Sequence, residues 1–213
     1  MKFLKPMAII LTLMLTLTAC STKGEDSQKQ EDPVLSDAVK IQLSDEKITI
    51  DGETATTENT SPVYIANDIV YYEDGKDFTY GEGTEKDAHT KEEAAEHTVV
   101  HITKAGKYAL SGNLSKGQIA VDLGEDAEEN ESAVVTLVLN NVDITCEVAP
   151  AVIFYNVYEC GEKDTETASK DVDTSKAGAN VIVADGTKNT VNGSYVEKIY
   201  KPDTVELNEE KTE

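Results

Sequence analysis

The chain has no arginine and no tryptophan. All 19 of its basic residues are lysines, set against 41 Asp and Glu, and only three cysteines and three histidines occur among 213 residues. Without arginine there is no planar fork to grip carboxylates or phosphates in two-point fashion. An anionic ligand therefore needs a bridging cation or neutral contacts. A net charge of −22 repels phosphate backbones, which argues against nucleic acid as a partner. The acidity also has a plain use, solubility. With no tryptophan, ring stacking falls to nine tyrosines. No CxxC pair and no Cys/His cluster of zinc spacing is present, and His89, His97 and His101 stand apart with nothing to mark them as ligands. P-loop, dinucleotide and GxSxG signatures are missing too.

What is present begins at residue 1. "MKFLKPMAIILTLMLTLTAC" carries Lys2 and Lys5 ahead of an apolar core from Met7 to Leu17. The core is short for a membrane span and reads as an export signal over 1–19. It ends in Leu17-Thr18-Ala19-Cys20, which resembles the lipobox of bacterial lipoproteins. That resemblance implies cleavage before Cys20, lipid on Cys20, and a protein anchored in the cell membrane and facing the exterior. Two or more acyl chains would give stable anchoring. Seventeen lysines would then face the 41 acids, a balance of −24. Residues 20–38, polar and with little to bury, read as a flexible tether.

From residue 39 the texture becomes β-like. "VKIQLSDEKITIDG" places Ile41, Leu43, Ile48 and Ile50 at period two. "PVYIANDIVYYEDG" reads as a hairpin turning at Asn67-Asp68. The region 84–97 reads as an acidic insertion, in which Thr90 and Glu93 form a capping box for a short helix over 91–97. After residue 98 helical periodicity nearly vanishes. "AVVTLVLNNVDIT" and "NVIVADGTKNTVNG" each give a strand, a polar corner and a further apolar run. Asn140-Asn141 and Asp185-Gly186 sit at the corners, where left-handed backbone is tolerated. A second polar insertion covers 162–177, and a charged tail covers 201–213. The fold class is all-β: either a β-solenoid whose coils stack, or a β-sandwich. The spacing alone leaves both open.

The run "ITKAGKYALSGNLSKGQIAVDLG", followed by "VTLVLNNVDIT", "PAVIFYNV" and "VIVADGTKNTVNGS", resembles bacterial surface lipoproteins described as carbohydrate-binding domain-containing proteins. The likeness spans roughly 39–200. It implies a right-handed parallel β-helix similar to that of pectate lyases, binding to pectin- or cellulose-like polysaccharide, and calcium in the helix. The family's later coils, with GxDGI-like turns, have no counterpart here. The solenoid is therefore expected to be incomplete at its C-terminal end, with an open edge through which chains could associate.

Candidate contacts follow from this reading. Asp122, Asn140, Asn141, Asp143 and Asp185 fall on or beside corners and offer the hard oxygen ligands that calcium favours, or acceptors for sugar hydroxyls. The bland alternative is that they form Asx turns. Tyr155 is the candidate stacking residue, whereas Tyr108, alternating with Leu110, reads as core. Cys146 and Cys160, in an exported chain, are a candidate disulfide. Lyase chemistry on such scaffolds commonly uses an arginine base, which this chain lacks, and its lysines at 104, 107 and 116 lie in turns. No catalytic residue is assigned. The expectation is a membrane-anchored, non-catalytic polysaccharide-binding protein, with a polysaccharide lyase or hydrolase and a structural adhesin or envelope protein as alternatives.

Overall fold

The computed structural model describes residues 33–71, 89–161 and 172–194. The signal over 1–19, Cys20, most of the tether, the tail over 201–213, and residues 84–88 and 162–171 of the two insertions lie outside them. The described chain is all-β, with two mixed sheets, one short α-helix and three single-turn 3-10 helices.

The first sheet contains β1 (Val39–Leu43), β2 (Thr49–Ile50), β3 (Glu53–Thr54), β6 (Gly106–Leu114), β8 (Val135–Thr145), β10 (Ala179–Val183) and β11 (Thr190–Asn192). The second holds β4 (Val63–Ala66), β5 (Thr98–Ile102), β7 (Gly117–Asp122) and β9 (Val152–Asn156). From β5 onward the chain alternates between the sheets, and each return lays a strand parallel to its predecessor. Thus β5, β7 and β9 are parallel neighbours in one sheet, and β6, β8 and β10 in the other. At the N-terminal side, β1 lies parallel to β6, while β2, β3 and β4 pair in antiparallel fashion.

Registration stacks like on like. Ile65, Val100, Ile119 and Val152 form one row across the second sheet, and Val63, Ile102, Val121 and Phe154 form another. Ile41, Leu110 and Leu139 do the same in the first sheet. All of these side chains belong to one apolar cluster, fully or in part buried. Period-two alternation sends these rows inward, and their burial is the main stabilising term.

The corners explain the polar interruptions in the sequence. β6 bends at Gly112 (φ +94°), and the register with β8 shifts between Leu110 and Gly112. β8 bends at Asn141, which adopts φ +58°, a left-handed conformation that asparagine tolerates better than most residues. In the next pass the bend widens into a turn around Gly186 (φ +71°), so that β10 pairs with the first half of β8 and β11 with the second. The Asn189 side-chain oxygen accepts the Val142 backbone N–H at 2.9 Å and closes this corner against the one before it.

The helix α1 (Lys91–Ala95) forms behind the expected capping box. The Glu93 N–H donates to Thr90 Oγ1 (3.2 Å), and the Thr90 N–H donates to Glu93 Oε2 (2.7 Å). The expected hairpin at Asn67-Asp68 is not formed. β4 pairs instead with β5, and residues 69–71 leave the sheet. The cause is side-chain capture: Gln118, fully buried, accepts from Val70 N–H (2.9 Å) and donates to the Val70 and Pro150 carbonyls (both 2.8 Å). Asn67 donates to the carbonyl of His97 (2.7 Å).

Candidate functional site

Opposite its apolar rows, the second sheet presents Tyr64, His101, Ala120 and Ile153 side by side on β4, β5, β7 and β9. The Tyr64 and His101 rings stack, with centroids 4.5 Å apart and planes 4° from parallel. The His101 side chain is only 8% exposed, whereas Tyr64 is half-buried, so the tyrosine forms the outer layer of the pair. His101 Nε2 lies 2.8 Å from Asp68 Oδ1, and this carboxylate is 64% exposed. The same segment that failed to make a hairpin therefore delivers Asp68 to the rim of the ring pair.

Asp122 and Asn156 lie at the end of β7 and β9. Asn156 Nδ2 donates to Asp122 Oδ1 at 2.8 Å, and the Gly124 N–H donates to the same oxygen at 2.9 Å. Tyr155 occupies the irregularity between Phe154 and Asn156 and is half-buried. Burial pushes the Tyr64 phenol above its ordinary value, and the negative charges of Asp68 and Asp122 push it further. The phenol therefore remains a neutral hydrogen-bond donor at physiological pH. The result is a shelf: a ring face backed by a second ring, one phenolic donor, one amide and two carboxylates. Such a set suits a ligand with an apolar C–H face and a fringe of hydroxyls.

The sequence-derived candidates divide. Asp122 belongs to this shelf, and Tyr155 neighbours Asn156 on β9. Asn140, Asn141 and Asp143 lie at and beyond the bend of β8, and Asp185 is exposed in the turn that precedes Gly186. Asn141 serves its corner: its Nδ2 donates to Asn140 Oδ1 (3.3 Å), and its Oδ1 accepts the Lys188 N–H (3.3 Å). Among the described residues, no group of three or more His, Cys, Asp or Glu side chains could hold a metal ion. Asp122, Asp143 and Asp185 do not form such a group.

The structure does not join Cys146 to Cys160, so the expected disulfide is corrected. Cys146 is buried at the end of β8, where its N–H donates to the Asn192 carbonyl. Cys160 follows Tyr158 and Glu159, whose N–H groups bond to Ala133 and Glu128 ahead of the start of β8. The 11 residues of β8 separate the two thiols, well beyond the reach of a disulfide.

Reading the sequence alone passed over His101, Asp68 and Asn156. A signal for His101 existed. It alternates with Val100 and Ile102, so a polar ring is aimed away from the core by period two. His97 is structural by contrast. It is fully buried, its Nδ1 donates to the Glu93 carbonyl (2.9 Å), and its Nε2 accepts the Glu147 N–H (3.3 Å).

Comparison with known proteins gives one finding. Residues 96–198 match the model of a family described as "Carbohydrate-binding domain-containing protein". The matched region takes in β5 to β11 and with them His101, Asp122, Tyr155 and Asn156, while Tyr64 and Asp68 precede it. No curated protein and no solved structure matches the chain.

Proposed function

We propose that this chain is a lipid-anchored protein of the cell exterior that binds pectin- or cellulose-like polysaccharide without modifying it, on a right-handed parallel β-helix. The observation that carries the reading is the Tyr64–His101 ring pair flanked by Asp68, Asp122 and Asn156. The family match over 96–198 supports the ligand class. The alternation of parallel strands between sheets, with bends at Gly112, Asn141 and Gly186, supports the helix. The lipobox-like Leu17–Cys20 supports the anchor. Calcium enters only as a bridge from a ligand carboxylate to an acid such as Asp122.

In native gels carrying polygalacturonate, xylan or soluble cellulose, at least one polysaccharide is expected to retard the protein. A sharp band that none of them retards contradicts the proposal. A chelator arm reports on the bridging ion. Release of unsaturated or reducing ends during incubation would move the assignment to a lyase or hydrolase.

A second reading, association of chains through the last strands, has its own observation. Val181, Val183 and Val191 continue the inward rows of β8, yet are 55%, 59% and 46% exposed. Unpaired strand edges with apolar side chains favour pairing with other chains. Sedimentation that stays monomeric at high concentration counts against this reading.

A further inference from the structure

All the large apolar side chains that are exposed among the described residues lie between Val172 and Val191, and all but Val172 are on β10 and β11. β10 ends the first sheet, with β8 on one side and no described strand on the other. Its backbone groups divide between those two sides. The Gly178 carbonyl accepts the Val135 N–H (2.7 Å), and the Ala184 N–H donates to the Leu139 carbonyl (3.0 Å). Successive residues of a strand turn their N–H and C=O groups to opposite sides, so Asn180 and Ile182 also bond toward β8. The N–H and C=O groups of Ala179, Val181 and Val183 therefore point to the open edge. The usual protections of an edge are missing from β10: it holds no lysine, no proline and no charge, and its register with β8 is unbroken. The opposite edge of the same sheet is protected. β3 is only two residues long, both exposed, and carries the charge of Glu53.

We infer that two copies of this chain join at β10 as a closed two-fold dimer, β10 pairing antiparallel with the partner's β10 about an axis at Val181. Backbone parity fixes the register. With Val181 opposite the partner's Val181, and Ala179 opposite the partner's Val183, every edge-facing N–H and C=O of both strands finds a mate. Moving the axis to Asn180 or Ile182 sets one of these residues opposite a position outside β10. The same register puts the inward valines of both copies on one face, where Val181 and Val183 extend the rows of Leu137 and Leu139. Charge permits a second copy here: each chain carries −22 in all, yet neither brings a charged side chain to the paired strands. The chain's own continuation heads elsewhere. The Ser194 N–H donates to the Ala149 carbonyl (3.1 Å), so after β11 the backbone runs beside the connection into β9 of the second sheet. Because β3 offers no matching edge, the contact closes at two copies and does not extend head to tail. The inference rests on the reading that chains associate through their last strands, and it fixes the strand, the symmetry and the number of copies.

The test combines sedimentation equilibrium of the full chain over a concentration series with cysteine cross-linking. The wild type is expected to pass from monomer to dimer and to form nothing larger. Val181→Lys, at an exposed position, should melt like the wild type and stay monomeric, because it sets two ammonium groups against each other on the axis. In a background of Cys20→Ser and Cys160→Ser, Val181→Cys should give a disulfide-linked dimer on mild oxidation. Directly opposed residues of a bonded pair have Cα atoms about 5.5 Å apart, inside disulfide reach. Ile182→Cys should stay unlinked, since the partner's Ile182 lies diagonally across at about 7–8 Å or more. Linkage at Ile182 and not at Val181, or a dimer that persists in Val181→Lys, overturns the β10 register and leaves association standing. Species that grow beyond two copies overturn the closed symmetry. A wild type that is monomeric throughout overturns the inference together with the association reading, and passes the edge to another occupant such as residues 195–213.

Discussion

Gly112 offers a quantitative check on how the corners are packed. Its φ is +94°, and a Cβ built there would lie 2.2 Å from the Leu43 carbonyl oxygen and 2.4 Å from Gln42 Nε2. The glutamine amide can swing aside. The Leu43 carbonyl cannot, because Leu43 pairs with Gly112 in the sheet. Gly112→Ala therefore incurs two costs: about 1–2 kcal/mol for a left-handed non-glycine residue, and a similar or larger sum for parting β1 from β6. Gly52 isolates the first cost, since its φ is +87° and nothing lies within 4 Å of its notional Cβ. For a chain of this size, 1 kcal/mol moves the melting temperature by about 2–4 °C. Thermal unfolding followed by circular dichroism should show Gly112→Ala melting about 10 °C below wild type and Gly52→Ala about 4 °C below. Equal losses in the two variants would refute the argument, because they would mean that the bend at Gly112 is not closed against β1.

Three further outcomes follow from the same structure. Gln118→Leu strands the Val70 N–H and the Val70 and Pro150 carbonyls; at about 1–3 kcal/mol for each buried group left unpaired, it should destabilise the chain by at least 2 kcal/mol in urea and speed hydrogen exchange at Val70. Hydrogen bonds from Thr90, first of its backbone and then of its side chain, hold the Glu93 carboxyl below its ordinary 4.5. A lowered folded-state value stabilises above the unfolded value and is lost as pH falls through the folded one, so the deficit of Thr90→Ala, about 1 kcal/mol at neutral pH, should narrow in melts taken below pH 4. Thiol titration of the native protein should modify half-buried Cys160 before buried Cys146, and reduction should leave the mass of the 146–160 region unchanged.

Local rules carried the sequence reading a long way. Period-two alternation placed the inward rows of β6 and β8. Thr90 and Glu93 marked the start of α1, and the Asn140-Asn141 and Asp185-Gly186 pairs marked two of the corners. What failed was partner choice. The alternation around Asn67-Asp68 is equally compatible with a hairpin and with β4 pairing to β5, and only the buried amide of Gln118, 48 residues from Val70, decides between them. The shelf was only partly visible for the same reason. Asp122 was singled out, but the stack that makes a site of it joins Tyr64 to His101 across two strands, and cross-strand proximity is not written in local spacing. The disulfide failed through a distance that the sequence does not encode, the span of β8.

The central claim is that the Tyr64–His101 shelf binds polysaccharide. The most direct measurement is the affinity of wild type, Tyr64→Phe and Tyr64→Ala for whichever polysaccharide retards the protein in native gels. The account predicts that Tyr64→Phe, which keeps the ring, stays within a few-fold of wild type, and that Tyr64→Ala loses about tenfold or more, about 1.4 kcal/mol, while its melting curve shows it folded. A folded Tyr64→Ala that binds as tightly as wild type would contradict it.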